Sequence, residues 1–146
     1  MLYIGSTTVD TYLEDFLKFR FPFIQIGSYL PGLPLSYVIG DNESGGYNAT
    51  KHLIALGHKS VAMITGHFGV ISAKDRHEGY KKALQEAGIE YDEDLVVYAD
   101  FKEHTGYTAM QALLKQGCTA VFCGNDLMAI GADFAGRRPR AAQGVI

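Results

Sequence analysis

Ser72, Arg76, Phe101 and Asn125 are the residue types that together grip a small polar ring: a hydroxyl, a guanidinium, an aromatic face and an amide, with Asp126 beside the last. An aromatic side chain takes the apolar face of such a ring, and the polar groups take its edge. The guanidinium adds a rigid fork of donors. This is equipment for binding rather than for bond-breaking. The sequence holds no GxSxG elbow, no GxxxxGK[ST] phosphate loop, no HExxH and no GxGxxG after a strand. The five His are scattered, and His52 and His58 straddle a helix end where they make a poor ligand pair. Ser72 has no base at helical spacing. Cys118 and Cys123 form no CxxC and have no matching His/Cys set, so they read as buried reduced thiols. Neither an enzyme, a cofactor nor a metal is expected.

Residues 41–79 organise the elements that must position this set. Asp41 or Asn42 can cap a helix, because their side-chain oxygens accept from free backbone N–H groups. Ala49, Leu53 and Leu56 form an apolar stripe on it, and Gly57 stands where a left-handed stop is wanted. Val61, Ala62, Met63 and Ile64 form the short apolar run of a parallel strand covered on both faces. A loop over 66–71 follows. Ser72 with Asp75 resembles a capping box opening the next helix, over 73–87, with Tyr80, Ala83, Leu84 and Ala87 as its buried face. Arg76 thus sits one turn into a helix that begins past the carboxyl end of a strand. Open α/β sheets bind ligands there, and the helix's free N–H groups favour polar or anionic ligand groups.

Further on, the pattern predicts a strand over 95–98 and a loop over 100–103. Thr105 then caps a helix to Lys115 with Tyr107, Met110 and Leu114 on one face. Gly117 stops it, a strand spans 119–123, and Gly124-Asn125-Asp126 turns into a helix from Leu127. Upstream lie a strand end over 2–4, a helix over 9–20 with Leu13, Phe16, Leu17 and Arg20 at helical spacing, a strand over 23–26, a loop over 27–36 and a strand over 37–39. Pro22 ends that first helix. No internal repeat stands out. Alternating strands and helices argue for an α/β fold: a parallel sheet with helices on both faces and right-handed crossovers. All strand-to-helix loops then meet on one edge, which brings the four side chains together.

The stretches DNESGGYNATKHLIALGHKSVAMITG, SAKDRHEGYKKAL, DFKEHTGYTAMQALL and TAVFCGNDLMAIGA occur in that order. In wording and spacing they resemble the lac/purine repressor family of bacterial transcription regulators, closely over 41–132 and loosely over 1–40. The resemblance implies a periplasmic-binding-protein-like class I fold. Residues 1–40 would be part of its N-terminal subdomain and 41–132 most of its C-terminal subdomain. It implies that Arg76 is the effector-contacting arginine of the xxxRxxG segment, with Ser72 a small hydroxyl position just ahead. Phe101 matches an aromatic that covers the ligand in purine-type members. Asn125 matches the amide before a near-constant Asp. Ser28 matches a polar position after a strand of the other lobe. Val70 falls where some purine-binding members carry a basic residue, so a sugar and a purine-like effector both stay open.

The chain has 146 residues, 47% hydrophobic and 20% charged, the composition of one ordinary globular domain. A net charge of −3 gives no electrostatic footprint for nucleic acid. DNA would therefore be met only through a helix-turn-helix domain that this chain lacks. No secretory signal and no apolar run of ~18 residues appears, so a cytoplasmic protein with no membrane contact is expected. The resemblance implies a homodimer or higher. A periplasmic sugar-binding protein for transport, which shares the two-lobed fold, is the competing reading. After Ala132 the sequence DFAGRRPRAAQGVI departs from the family pattern, so 133–146 reads as an atypical tail. A truncation or a frame change would account for it, with the chain a fragment of a longer effector-binding domain.

Overall fold

The computed structural model describes residues 1–4 and 12–142. The first lobe comprises β1 (Leu2–Ile4), α1 (Tyr12–Lys18), β2 (Ile24–Ile26) and β3 (Ser36–Val38). The second comprises α2 (Asn42–Ala55), β4 (Val61–Gly66), α3 (Ile71–Glu86), β5 (Val96–Ala99), α4 (Glu103–Lys115), β6 (Ala120–Cys123) and α5 (Asp126–Ala142), with a 3-10 turn at Glu93–Leu95. Two parallel sheets result, ordered β1-β2-β3 and β5-β4-β6.

β4 is the centre of the second lobe, and every residue in it is buried. Its alternation divides the core in two. Ala62 and Ile64 pack with Ala109, Leu113, Met128 and Ala132 under α4 and α5. Val61 and Met63 pack with Tyr80, Leu84 and Val96, with Leu53 and Ile54 closing the cluster under α2 and α3. β5 and β6 flank β4 on opposite sides, so α3 and α4 must cover opposite faces if both crossovers are right-handed. Each large apolar side chain buried here contributes about 1.5–3 kcal/mol. Tyr80 is fully buried and donates its hydroxyl to Val61 O at 2.8 Å, which satisfies the one polar atom it carries inward.

Both helix pairs are held by reciprocal glycines. A Cβ on Gly46 would strike the Arg76 carbonyl, and one on Gly79 would strike the Glu43 carbonyl. The second pair repeats the device: Gly106 faces Met128 backbone and Gly131 faces the Glu103 carbonyl. The shared geometry exposes a repeat that the sequence reading passes over. Gly46-Tyr47, Ala49 and Leu53 recur as Gly106-Tyr107, Ala109 and Leu113.

Several expectations need correction. Asp41 is the α2 cap, accepting from Ser44 N at 3.0 Å, but the buried face of α2 runs through Gly46 and Thr50 rather than along the predicted stripe. Leu56, the last residue of that stripe, is 64% exposed because close α2–α3 packing rotates it outward. The predicted Ser72 capping box is absent. α3 starts at Ile71 behind Val70 with no side-chain cap, and the Asp75 carboxylate is engaged elsewhere. Ala87 is exposed beyond the α3 end. Thr105 lies inside α4 rather than capping it, and it binds the Asp100 carboxylate at 2.6 Å and the Lys102 carbonyl at 2.8 Å. The buried face of α4 is Gly106, Ala109 and Leu113, one residue off the predicted Tyr107, Met110 and Leu114, because Gly106 must face Met128. Arg20 leaves the α1 face for an exposed turn at φ 53°. The predicted start of that helix, 9–11, lies outside the described residues. The region after Ala132 continues α5, and Met128, Ala132 and Ala135 keep one buried stripe.

Candidate functional site

The carboxyl ends of β4, β5 and β6 share one edge because the three strands are parallel. At that edge the ladder runs on one step past β6: Gly124 N donates to Ile64 O at 2.7 Å. This leaves the Gly124 carbonyl pointing outward, and Arg76 Nη1 donates to it at 2.8 Å. Burial presses the Arg76 guanidinium below its ordinary range, with Asp75 acting in the opposite sense. Arg76 remains a cation at neutral pH, held at one nitrogen with further donors available in its fork.

Phe101 follows β5 and adopts φ 67°, a left-handed conformation that is an outlier for a bulky residue. Three contacts hold it there. Its ring fills the space where Gly66 has no Cβ. Its carbonyl accepts from Asn125 Nδ2 at 2.9 Å. The loop behind it is closed by the Asp100 carboxylate, which accepts from Thr105 Oγ1 and from Lys102 N at 3.2 Å. The Thr105 hydrogen bond is the main reason the Asp100 carboxyl sits below the usual range. His67 meets the Phe101 ring edge-on at 6.1 Å.

Asn125 uses both ends of its amide. Nδ2 grips Phe101, and Oδ1 accepts from Met128 N at 3.0 Å, capping α5. Asp126 accepts from Leu127 N at 3.0 Å and is exposed. Ser72 lies half-buried in the first turn of α3, on the same edge. The structure therefore brings Arg76, Phe101 and Asn125 into one hydrogen-bonded group, with Ser72 on the neighbouring turn. Ser28 stands apart in the first lobe just past β2, fully buried, with no hydrogen-bond partner for its Oγ.

Two features of this edge escape sequence reasoning. Thr65, at the end of β4, is fully buried with an unpartnered hydroxyl, a deficit of about 1–3 kcal/mol until something bonds it. Tyr29, next to Ser28, reaches across to Asp75 Oδ1 at 3.4 Å. Burial raises both of those groups, and the bond to Tyr29 pulls Asp75 back down. Neither residue belongs to a spacing pattern, so no local signal could have singled it out. The two thiols are free but half-buried rather than buried as expected, and burial pushes Cys123 up to about 11. No group of three or more His, Cys, Asp or Glu that could hold a metal occurs among the described residues. A surface cleft of about 600 Å³ beside α4 and α5, lined by Glu103, His104, Tyr107, Thr108, Gly131 and Phe134, includes none of the predicted contact residues.

Comparison with known proteins gives one consistent match. Residues 13–145 fit the model of "Periplasmic binding proteins and sugar binding domain of LacI family". Among curated relatives, the HTH-type transcriptional regulator DegA of Bacillus subtilis (strain 168) is 36% identical over 86% of this chain. The HTH-type transcriptional regulator CelR of Thermobifida fusca is 43% identical over 70% of it. Those alignments span 37% and 31% of the relatives' own lengths, so the chain covers about a third of them. Among solved structures, a CelR–cellobiose complex superposes with a TM-score of 0.87 at 36% identity, covering 94% of this chain and 43% of that one. A LacI family regulator from Enterococcus faecium with bound ribose gives a TM-score of 0.80 at 29% identity, covering 95% and 53%.

Proposed function

The chain belongs to the LacI family, and from that premise we propose that it is the effector-sensing part of a bacterial transcription regulator, taking a small sugar or purine-like ring at the carboxyl edge of β4, β5 and β6. One observation carries the reading: Arg76 near the head of α3, and Phe101 and Asn125 in the loops after β5 and β6, come from three separate strand-to-helix junctions and are tied into a single group through Gly124 O and Phe101 O. The Phe101 ring would lie against the apolar face of the ligand. Arg76 would direct its remaining donors at ring oxygens or at a purine acceptor. Asn125 would hold Phe101 in place, and Ser72 and Ser28 would add hydroxyls from the two lobes. The relatives named above are transcription regulators, which sets the transport reading and an enzymatic one aside. In the whole protein, DNA contact would fall to a helix-turn-helix segment outside these residues, and the site would work in the cytoplasm. No helix among the described residues is long and apolar enough to cross a membrane.

Titration calorimetry with cellobiose, ribose and a free purine base tests this. Binding of a sugar or of the purine picks the effector class. Replacing Arg76 by Lys should weaken the bound ligand by roughly ten- to a hundredfold, since a hydrogen bond involving a charged group is worth about 1.5–3 kcal/mol, and replacing Phe101 by Ala should cost about as much through the lost apolar contact. An unchanged affinity in both variants would place the site elsewhere.

A further inference from the structure

The loop between β2 and β3 turns Tyr29 toward the second lobe. Its ring stacks on Tyr37 with 5.2 Å between centroids, and its hydroxyl donates to Asp75 Oδ1 at 3.4 Å. Tyr29 belongs to the first lobe, whereas Asp75 belongs to α3 and immediately precedes Arg76. We propose that Tyr29 and Asp75 form a latch that holds the first lobe against the head of α3 and so sets how far the lobes close over Arg76.

Three observations carry this. The two sheets are separate, so no backbone ladder fixes the orientation of one lobe to the other. The chain passes between them at residues 39–41, a short connection that leaves rotation open. At 3.4 Å the bond is at the weak end of its kind, as suits a contact that must form and break. The surroundings are balanced in the same way. Glu43 on α2 repels the Asp75 carboxylate, Lys74 and Arg76 on α3 attract it, and burial opposes its charge. Tyr37 backs Tyr29 from the other side. Stacking orients the Tyr29 ring before the hydroxyl meets its acceptor, which makes a directed contact out of a single weak bond. The consequence for ligand binding rests on the reading of Arg76 as an effector contact, but the latch itself does not.

Residual dipolar couplings on the ligand-free chain measure lobe orientation directly. In the wild type, couplings from β1–β3 and from the second lobe should fit one alignment tensor of equal order. Tyr29→Phe keeps the ring and its stacking but loses the donor. The first-lobe order should then drop below that of the second, whose unchanged amide spectrum certifies the fold. Asp75→Ala should do the same, and the double variant should be no worse than either single one. Equal order in Tyr29→Phe, independent lobes already in the wild type, or additive effects in the double variant would each overturn the latch. Absence of calorimetric binding alongside the predicted couplings would remove the effector reading and leave the latch standing.

Discussion

Phe101 carries the most unusual local geometry in the candidate site. A bulky residue at φ 67° costs of order 1–3 kcal/mol, and it persists here because ring, carbonyl and flanking loop are all tied down. Gly66 is the other half of that arrangement. Gly66→Ala would drive a Cβ into the Phe101 ring, so it should lower stability by about 1–3 kcal/mol in urea unfolding and abolish ligand binding. Each end of the Asn125 amide makes one bond to the protein, Nδ2 to Phe101 O and Oδ1 to Met128 N, and each keeps a second hydrogen-bonding position for a ligand. Asn125→Ala should destabilise through the lost α5 cap by about 1 kcal/mol as well as weaken binding. A ligand effect without a stability effect would show that the amide is not doing both tasks.

At the scale of elements, the helix pairs depend on glycines whose neighbours are backbone. Gly45 and Gly46 are adjacent on α2 but differ completely in surroundings: nothing lies within 4 Å of a Cβ built on Gly45, whereas one on Gly46 meets the Arg76 carbonyl. Gly45→Ala should raise stability by about 0.5–1 kcal/mol, and Gly46→Ala should lower it by about 3 kcal/mol by forcing α2 off α3. Equal effects in thermal unfolding would contradict the close crossing. The facing helix α3 buries His77 under Phe68, at 5.1 Å between rings, beside Tyr80 and Tyr91, with Nε2 on the Tyr91 hydroxyl at 3.1 Å. Burial depresses the His77 pKa, Lys81 adds to that, and Glu78 and Glu93 act against it. The folded state therefore prefers neutral imidazole more than the unfolded chain does. Its stability contribution is complete above the unfolded value of 6.5 and is lost as pH falls through the folded one. Urea unfolding at pH 7.5 and 5.5 should show the loss, and His77→Phe should flatten that part of the profile.

For the whole molecule, the exposed apolar surface is the feature that needs an outlet. One face of the first sheet presents Leu2, Ile4, Ile24 and Val38, with Ile4 80% exposed, although parallel sheets are ordinarily covered on both faces. On α5, Leu127, Ile130 and Phe134 are exposed on a second strip. Light scattering on the isolated chain should accordingly report a dimer or larger species, and a clean monomer up to high concentration would count against it. Much of this molecule is legible from sequence alone. Alternation of apolar runs with glycine-stopped helices determines a parallel α/β lobe, because strand and helix periodicities are local and strong. Parallel strands then force Ser72, Arg76, Phe101 and Asn125 onto one edge without any knowledge of contacts. Gly57, Gly88 and Gly117 all take the left-handed φ their positions imply. Only the tertiary structure decided which way each helix faces, since Gly46 and Gly106 rotate α2 and α4 away from their most apolar stripes through contacts distant in sequence. It alone decided that Asn125 spends its amide on Phe101 and α5, that Thr65 and Ser28 bury unpartnered hydroxyls, and that Tyr29 meets Asp75 46 residues away. Periodicity reports how a residue relates to its own element, whereas the partners of a buried polar atom depend on which elements meet.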